Sequence, residues 1–184
     1  MAGSESAEAS FTRVYAEQAD RVYAYLCTRL QNSSLAEELT GQVFLEAWRQ
    51  RERVVIDPAV GWAPWLFGVA RNLARESARS QARYSREVYP SNAGVWGVTE
   101  DPAATHAELE ERGMVLAAAV SALRLLSSSD REVIELCVIG SLTPSQAAAV
   151  LQEPPSTVRS RLTRARRRLR DCVDQLLRSE DVTR

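Results

Sequence analysis

From Val158 to Leu176 the apolar residues Val158, Leu162, Ala165, Leu169, Cys172, Val173 and Leu176 fall at steps of four and three or join that stripe. Nowhere in the chain do apolar and polar residues alternate at the period of two that a half-buried strand requires, and no segment repeats another. An all-α fold follows. What remains open is where each helix starts and stops.

In the first half, Phe11, Val14, Tyr15, Val22, Tyr23, Leu26 and Leu30 recur at helical steps. Ser34 and Glu37 have capping-box spacing and predict the start of a second helix, with Leu35, Leu39, Val43, Phe44, Ala47 and Trp48 as its apolar stripe. Pro58 and Gly61 break the pattern. Pro64 suits the first turn of a third helix carrying Trp65, Leu66, Val69, Ala70 and Leu73. From about residue 87 to 105, Pro, Gly and Asn are scattered without a period, which reads as a linker. Trp96 within it predicts a segment that docks rather than a free tether.

Beyond the linker a helix is expected over 114–126, followed by three more in quick succession. Ser129 and Glu132 have capping-box spacing, and that helix is expected to end at Gly140. Thr143, Pro144 and Gln146 supply a cap, a first-turn proline and a box partner for the next, which ends near Leu151. After Gln152–Pro155 comes an arginine-rich helix. A short helix, a tight turn and a cationic helix form the helix-turn-helix plan. The expected organisation is a disordered N-terminus over 1–9, a helical domain over 10–86, a linker over 87–113, a second helical domain over 114–178 and a tail over 179–184.

A formal net charge of −1 on 184 residues argues, by itself, against a nucleic-acid binder. The average hides a segregation. Arginines crowd 71–86 and 159–170, acids crowd 100–111, and there is no lysine, so every side-chain cation at neutral pH is a guanidinium fork suited to phosphate and guanine. No stretch approaches the roughly 18 apolar residues of a membrane span, and the small, polar, acidic start is not a signal peptide. Cys27, Cys137 and Cys172 stand far apart among apolar neighbours, which reads as buried thiols in a reducing cytoplasm. His106, the single histidine, has no nucleophile or ligand partner at motif spacing, and no glycine loop cradles phosphate. No catalytic function, metal or cofactor is expected.

On the arginine-rich helix, Ser156, Ser160, Thr163, Arg164 and Arg167 oppose the apolar stripe, with Arg159 and Arg166 on a flank. Small hydroxyls between guanidiniums let a helix approach base edges, while Arg166 to Arg170 sit where phosphate or water is the expected partner. A solvated face, or a basic helix meeting a membrane or protein, is the plainer alternative. The two helices before it favour DNA. In the first half Arg71, Arg75, Arg79, Arg83 and Arg86 cover an arc of roughly 120° on a helix, a stripe suited to a phosphate backbone. Trp62, Trp65 and Phe67 lie just before it, as capture of a single strand by base stacking requires. Trp65 is in phase with the core; Trp62 is the better candidate for exposure.

In this order, "ADRVYAYL", "AEELTGQVFLEAWR", "WLFGVARNLAR" and "LTPSQAAAVLQEPPSTVRSRLTRARRRL" resemble successive blocks of the extracytoplasmic-function (ECF) sigma factors. The resemblance implies two helical domains, sigma domain two and a helix-turn-helix domain four, that direct promoter recognition, DNA melting and transcription initiation. It implies that Glu37, Glu38, Gln42, Phe44 and Trp48 meet the clamp coiled coil of core RNA polymerase, with domain four on the flap. Trp62, Arg71, Asn72, Arg75 and Arg79 would face the minus-ten strand, where a base is flipped out of the stack to be read. Ser156, Thr157, Arg159, Ser160, Thr163, Arg164 and Arg167 would face the minus-35 element. It also implies an anti-sigma protein as a partner, through which a cytoplasmic factor can be held at the membrane without inserting into it.

The chain departs from the family pattern in places. Gln42 replaces an acid and Gly41 a glutamine in the polymerase-binding block, Gln152 stands at the usual turn glycine, and Cys137 stands where some members carry a DNA-contacting arginine. The competing reading is a helix-turn-helix regulator that is no polymerase subunit. It accounts for the basic recognition helix and leaves the second basic stripe unexplained.

Overall fold

Asn32 separates the first two helices. In the computed structural model, which describes residues 2–88 and 106–182 and the side chains of 9–80 and 115–178, Gln31 turns left-handed at φ 54 after α1 (Ala2–Leu30). The Asn32 side chain then accepts the Leu35 N–H at 3.0 Å and opens α2 (Ser33–Gln50). The cap is therefore Asn32 and not Ser34, which lies inside the first turn. The expected disordered lead is also replaced, since α1 starts at Ala2. After an irregular stretch, α3 (Ala63–Val88) starts with Pro64 in its first turn, as expected.

These three helices enclose Val22, Leu26, Val43, Phe44, Leu66, Phe67 and Ala70. Phe11 meets Phe44, Trp48 and Trp62 edge-on and fixes the start of α3 against the other two helices. Removing this much apolar surface from water is the main stabilising term.

The second half begins earlier than expected, with α4 (His106–Leu125). Ser127, not Ser129, caps α5 (Ser128–Ile134) by accepting the Asp130 N–H at 3.2 Å. Glu132, expected as the box partner, points elsewhere. The helix then widens into a π-helical turn over Glu135–Ile139, with the Gly140 N–H donating to the Glu135 carbonyl at 2.8 Å. The helix ends at Gly140, as expected, but that capping glycine keeps a right-handed φ of −72, and the left-handed residue is Ser141 at φ 50. Thr143 and Gln146 form the expected capping box for α6 (Pro144–Leu151), with Pro144 at its first position. Gln152 takes the left-handed turn at φ 57, and α7 (Pro155–Val182) follows. Val158, Leu162 and Ala165 of α7 are buried with Ile134, Leu136, Ala147 and Val150.

Cys27 and Cys137 are buried and Cys172 is half-buried, all as free thiols. Burial pushes the Cys137 thiol up from its ordinary value, with Arg166 acting in the opposite direction. Among the described residues no strand forms and no helix is long and apolar enough to cross a membrane. Trp96 lies outside the described residues.

Candidate nucleic-acid interface

The inward stripe of α7 fixes which of its residues face outward. With Val158, Leu162 and Ala165 buried, Ser156, Arg159, Ser160, Thr163, Arg164 and Arg167 are exposed, and Thr157 is half-buried. The hydroxyls of Ser160 and Thr163 donate back to the carbonyls of Thr157 and Arg159, at 3.0 and 3.1 Å. This keeps them against the helix, and the face stays shallow between the guanidiniums. Two arginines are committed elsewhere. Arg161 pairs with Glu153 at 2.8 Å and so ties the helix to the turn before it. Arg168, expected to hold phosphate or water, instead pairs with the buried carboxylate of Asp130 on α5.

On α3, Asn72, Arg75 and Arg79 are exposed while Arg71 is half-buried. Trp62 and Trp65 are both half-buried and meet edge-on at 5.7 Å between ring centroids. Phe11 covers one side of Trp62, their ring centroids 6.4 Å apart. A small cavity of about 170 Å³ opens beside it, lined by Phe11, Val14, Arg51 and Glu52. Arg83 and Arg86 carry no described side chains.

On α2, Glu37, Glu38 and Gln42 face solvent, with Gln42 donating to Glu38 at 3.1 Å. Phe44 is only 4% exposed and packs against Phe11 and Tyr15, so it supports this helix from inside and is corrected as a surface contact. Trp48 is half-buried under the Arg51 guanidinium, 3.9 Å from its ring centroid. Leu45, 48% exposed, shares the face of Glu38 and Gln42. Sequence reasoning passed over it, although its phase, off the apolar stripe, was the available signal.

The two halves touch through charge. Glu132 of α5 accepts from Arg71 Nε at 2.8 Å, from Arg29 Nη2 at 3.3 Å and from Arg75 Nη2 at 3.4 Å. Burial alone would push the Glu132 carboxyl up, but the hydrogen bond and charge of Arg71, with Arg29 and Arg75 behind it, outweigh burial and hold it below the usual carboxylate range. Glu135, 1% exposed, pairs with Arg29, and there burial wins and raises its pKa.

The two halves also match two known families in sequence order. The sigma-70 region 2 model matches residues 14–84, and the sigma-70 region 4 model matches residues 116–169. A helical domain of the first kind followed by a helix-turn-helix of the second defines a two-domain sigma factor of the sigma-70 superfamily. The chain is 33% identical over 170 residues to the ECF RNA polymerase sigma factor SigK of Mycobacterium tuberculosis (strain ATCC 25618 / H37Rv), covering 91% of this chain and 87% of that one. It is 28% identical to the RNA polymerase sigma factor CarQ of Myxococcus xanthus, over 94% of each. Among solved structures, the sigma factor RpoE from Bartonella quintana, in complex with the anti-sigma factor NepR, superposes with a TM-score of 0.71 at 20% identity, over 90% of this chain and 97% of that one. CnrH, in complex with the cytosolic domain of CnrY, does so with a TM-score of 0.62 at 23% identity, over 91% and 90%. These structural likenesses show the fold. The protein belongs to the ECF RNA polymerase sigma factors, non-enzymatic subunits for transcription initiation. The reading as a stand-alone regulator is thereby set aside.

Proposed function

We propose that α7 reads the minus-35 element, that α3 and the loop before it hold the minus-ten strand, and that the outward face of α2 docks on the clamp coiled coil of core RNA polymerase while domain four meets the flap. The observation that carries this reading is the division of α7. Its buried stripe anchors it on α5 and α6, and the opposite face presents Ser156, Arg159, Ser160, Thr163, Arg164 and Arg167 together. A helix that only neutralised phosphate would need no such small hydroxyls between its forks.

On α2, Leu45 joins Glu38 and Gln42 as a contact, and Glu37 flanks them. On α3, Asn72, Arg75 and Arg79 face the strand directly, with Arg71 beside them. An anti-sigma protein, the partner class named for the Bartonella quintana neighbour, is expected here too, acting on a cytoplasmic factor.

Arg159→Ala tests the base-reading role. It should weaken binding to the cognate minus-35 element by about 1–3 kcal/mol, the range for a forked contact to guanine, and spare a scrambled site. Mobility-shift titrations on both duplexes decide it. Equal losses on the two would mean that α7 only neutralises phosphate.

A further inference from the structure

The last turns of two helices, one from each half, line a cavity of about 420 Å³. Thr28 to Gln31 contribute from the end of α1, and Leu123 and Arg124 from the end of α4, while Arg131 and Glu135 complete the polar lining. Leu30, Val120 and Leu123 supply an apolar wall. The volume lies in the range of small-molecule pockets.

Three guanidiniums, Arg29, Arg124 and Arg131, stand in this lining against one carboxylate, Glu135. Cations near a helix C-terminus ordinarily serve the carbonyls left free there. For α4 that work falls to Arg131, whose fork donates to the carbonyls of Leu123 at 2.8 Å and Arg124 at 2.7 Å. Arg29 is balanced by Glu135 and Glu132. Arg124 is exposed and instead reaches Gln31 Oε1 at 2.5 Å, a neutral acceptor on the left-handed residue that follows α1. Among the described residues no carboxylate pairs with Arg124 or Arg131, so two positive charges stand uncompensated at one cavity. Neutral oxygens hold both forks in place, and a guanidinium carries more N–H donors than these bonds use.

We propose that this cavity is a binding site for a small phosphate monoester, with the phosphate between Arg124 and Arg131 and the apolar body on Leu30, Val120 and Leu123. A phosphomonoester carries about two negative charges at neutral pH and so matches the surplus, whereas a carboxylate brings half of it. Forked donors also suit its oxygens. The site goes beyond promoter recognition, since none of its lining residues belongs to the faces assigned to DNA or polymerase. A ligand held by both halves raises their melting temperature by mass action.

The test uses the full chain, free of polymerase and DNA, with phenyl phosphate as the probe at fixed ionic strength. Isothermal titration should give a Kd below about 1 mM, within reach of a ligand this small. The melting temperature should rise with ester concentration. Inorganic phosphate should bind about tenfold more weakly or worse, because it leaves the apolar wall uncovered, and phenol should not bind measurably. Arg124→Glu reverses a charge at an exposed position, and Val120→Phe fills the apolar side. Circular dichroism confirms that both variants keep their helices, and each should weaken phenyl phosphate by about tenfold or more. Inorganic phosphate that binds as tightly as the ester means an adventitious ion only and overturns the site. Ester affinity that survives either substitution places the ligand elsewhere and overturns it too, as does a wild type that binds no ester.

Discussion

Tyr25 is a buried hydroxyl set among charges. Its ring meets Phe67 edge-on at 5.4 Å between centroids, and its hydroxyl finds no hydrogen-bond partner among the described residues. Burial pushes its pKa well up, so the phenol stays neutral. An unsatisfied buried hydroxyl is costly, so Tyr25→Phe should raise the free energy of unfolding by about 1 kcal/mol in a denaturant titration. Arg168 behaves in the opposite way. Its Asp130 partner is buried while Arg168 itself is half exposed, so Arg168→Ala should lower stability by about 1–2 kcal/mol, after allowance for solvent screening, and leave base discrimination unchanged. Thermal melts paired with duplex titrations separate the two effects. The outward face of α7 was legible in the sequence because period alone determines it. The commitment of Arg168 was not, since Asp130 lies 38 residues away and nothing local marks the pair.

At the scale of the element, the helices were legible and several of their ends were not. Two capping boxes of Ser-x-x-Glu form were expected, and in both cases a residue two positions earlier caps the helix instead. The pattern cannot choose between neighbouring polar residues, and Glu132 is drawn away by arginines. Thr143 and Gln146 were unambiguous because Pro144 fixes the first turn between them. Gln152 shows what a departure from the family pattern costs. It holds φ 57 and ψ 41, where a Cβ crowds the backbone by roughly 1 kcal/mol relative to glycine. Gln152→Gly should therefore stabilise the turn by up to about 1 kcal/mol, less the extra freedom glycine gains in the unfolded chain. A lower melting temperature would instead mean that the glutamine side chain contributes more than its backbone strain costs.

At the scale of the molecule, two helical domains in order could be read from the chain, but their junction could not. The residues that join them lie far apart in sequence: Arg71 and Glu132 are 61 residues apart, and Arg21 and Gly140 are 119. Each has an ordinary local reading, as a stripe arginine, a cap partner or a helix end. Only folding brings them together. The junction then has a thermodynamic consequence. Arg21, Arg29 and Arg71 of the first half are bonded to Gly140, Glu135 and Glu132 of the second, so the two halves should melt together in a single calorimetric transition.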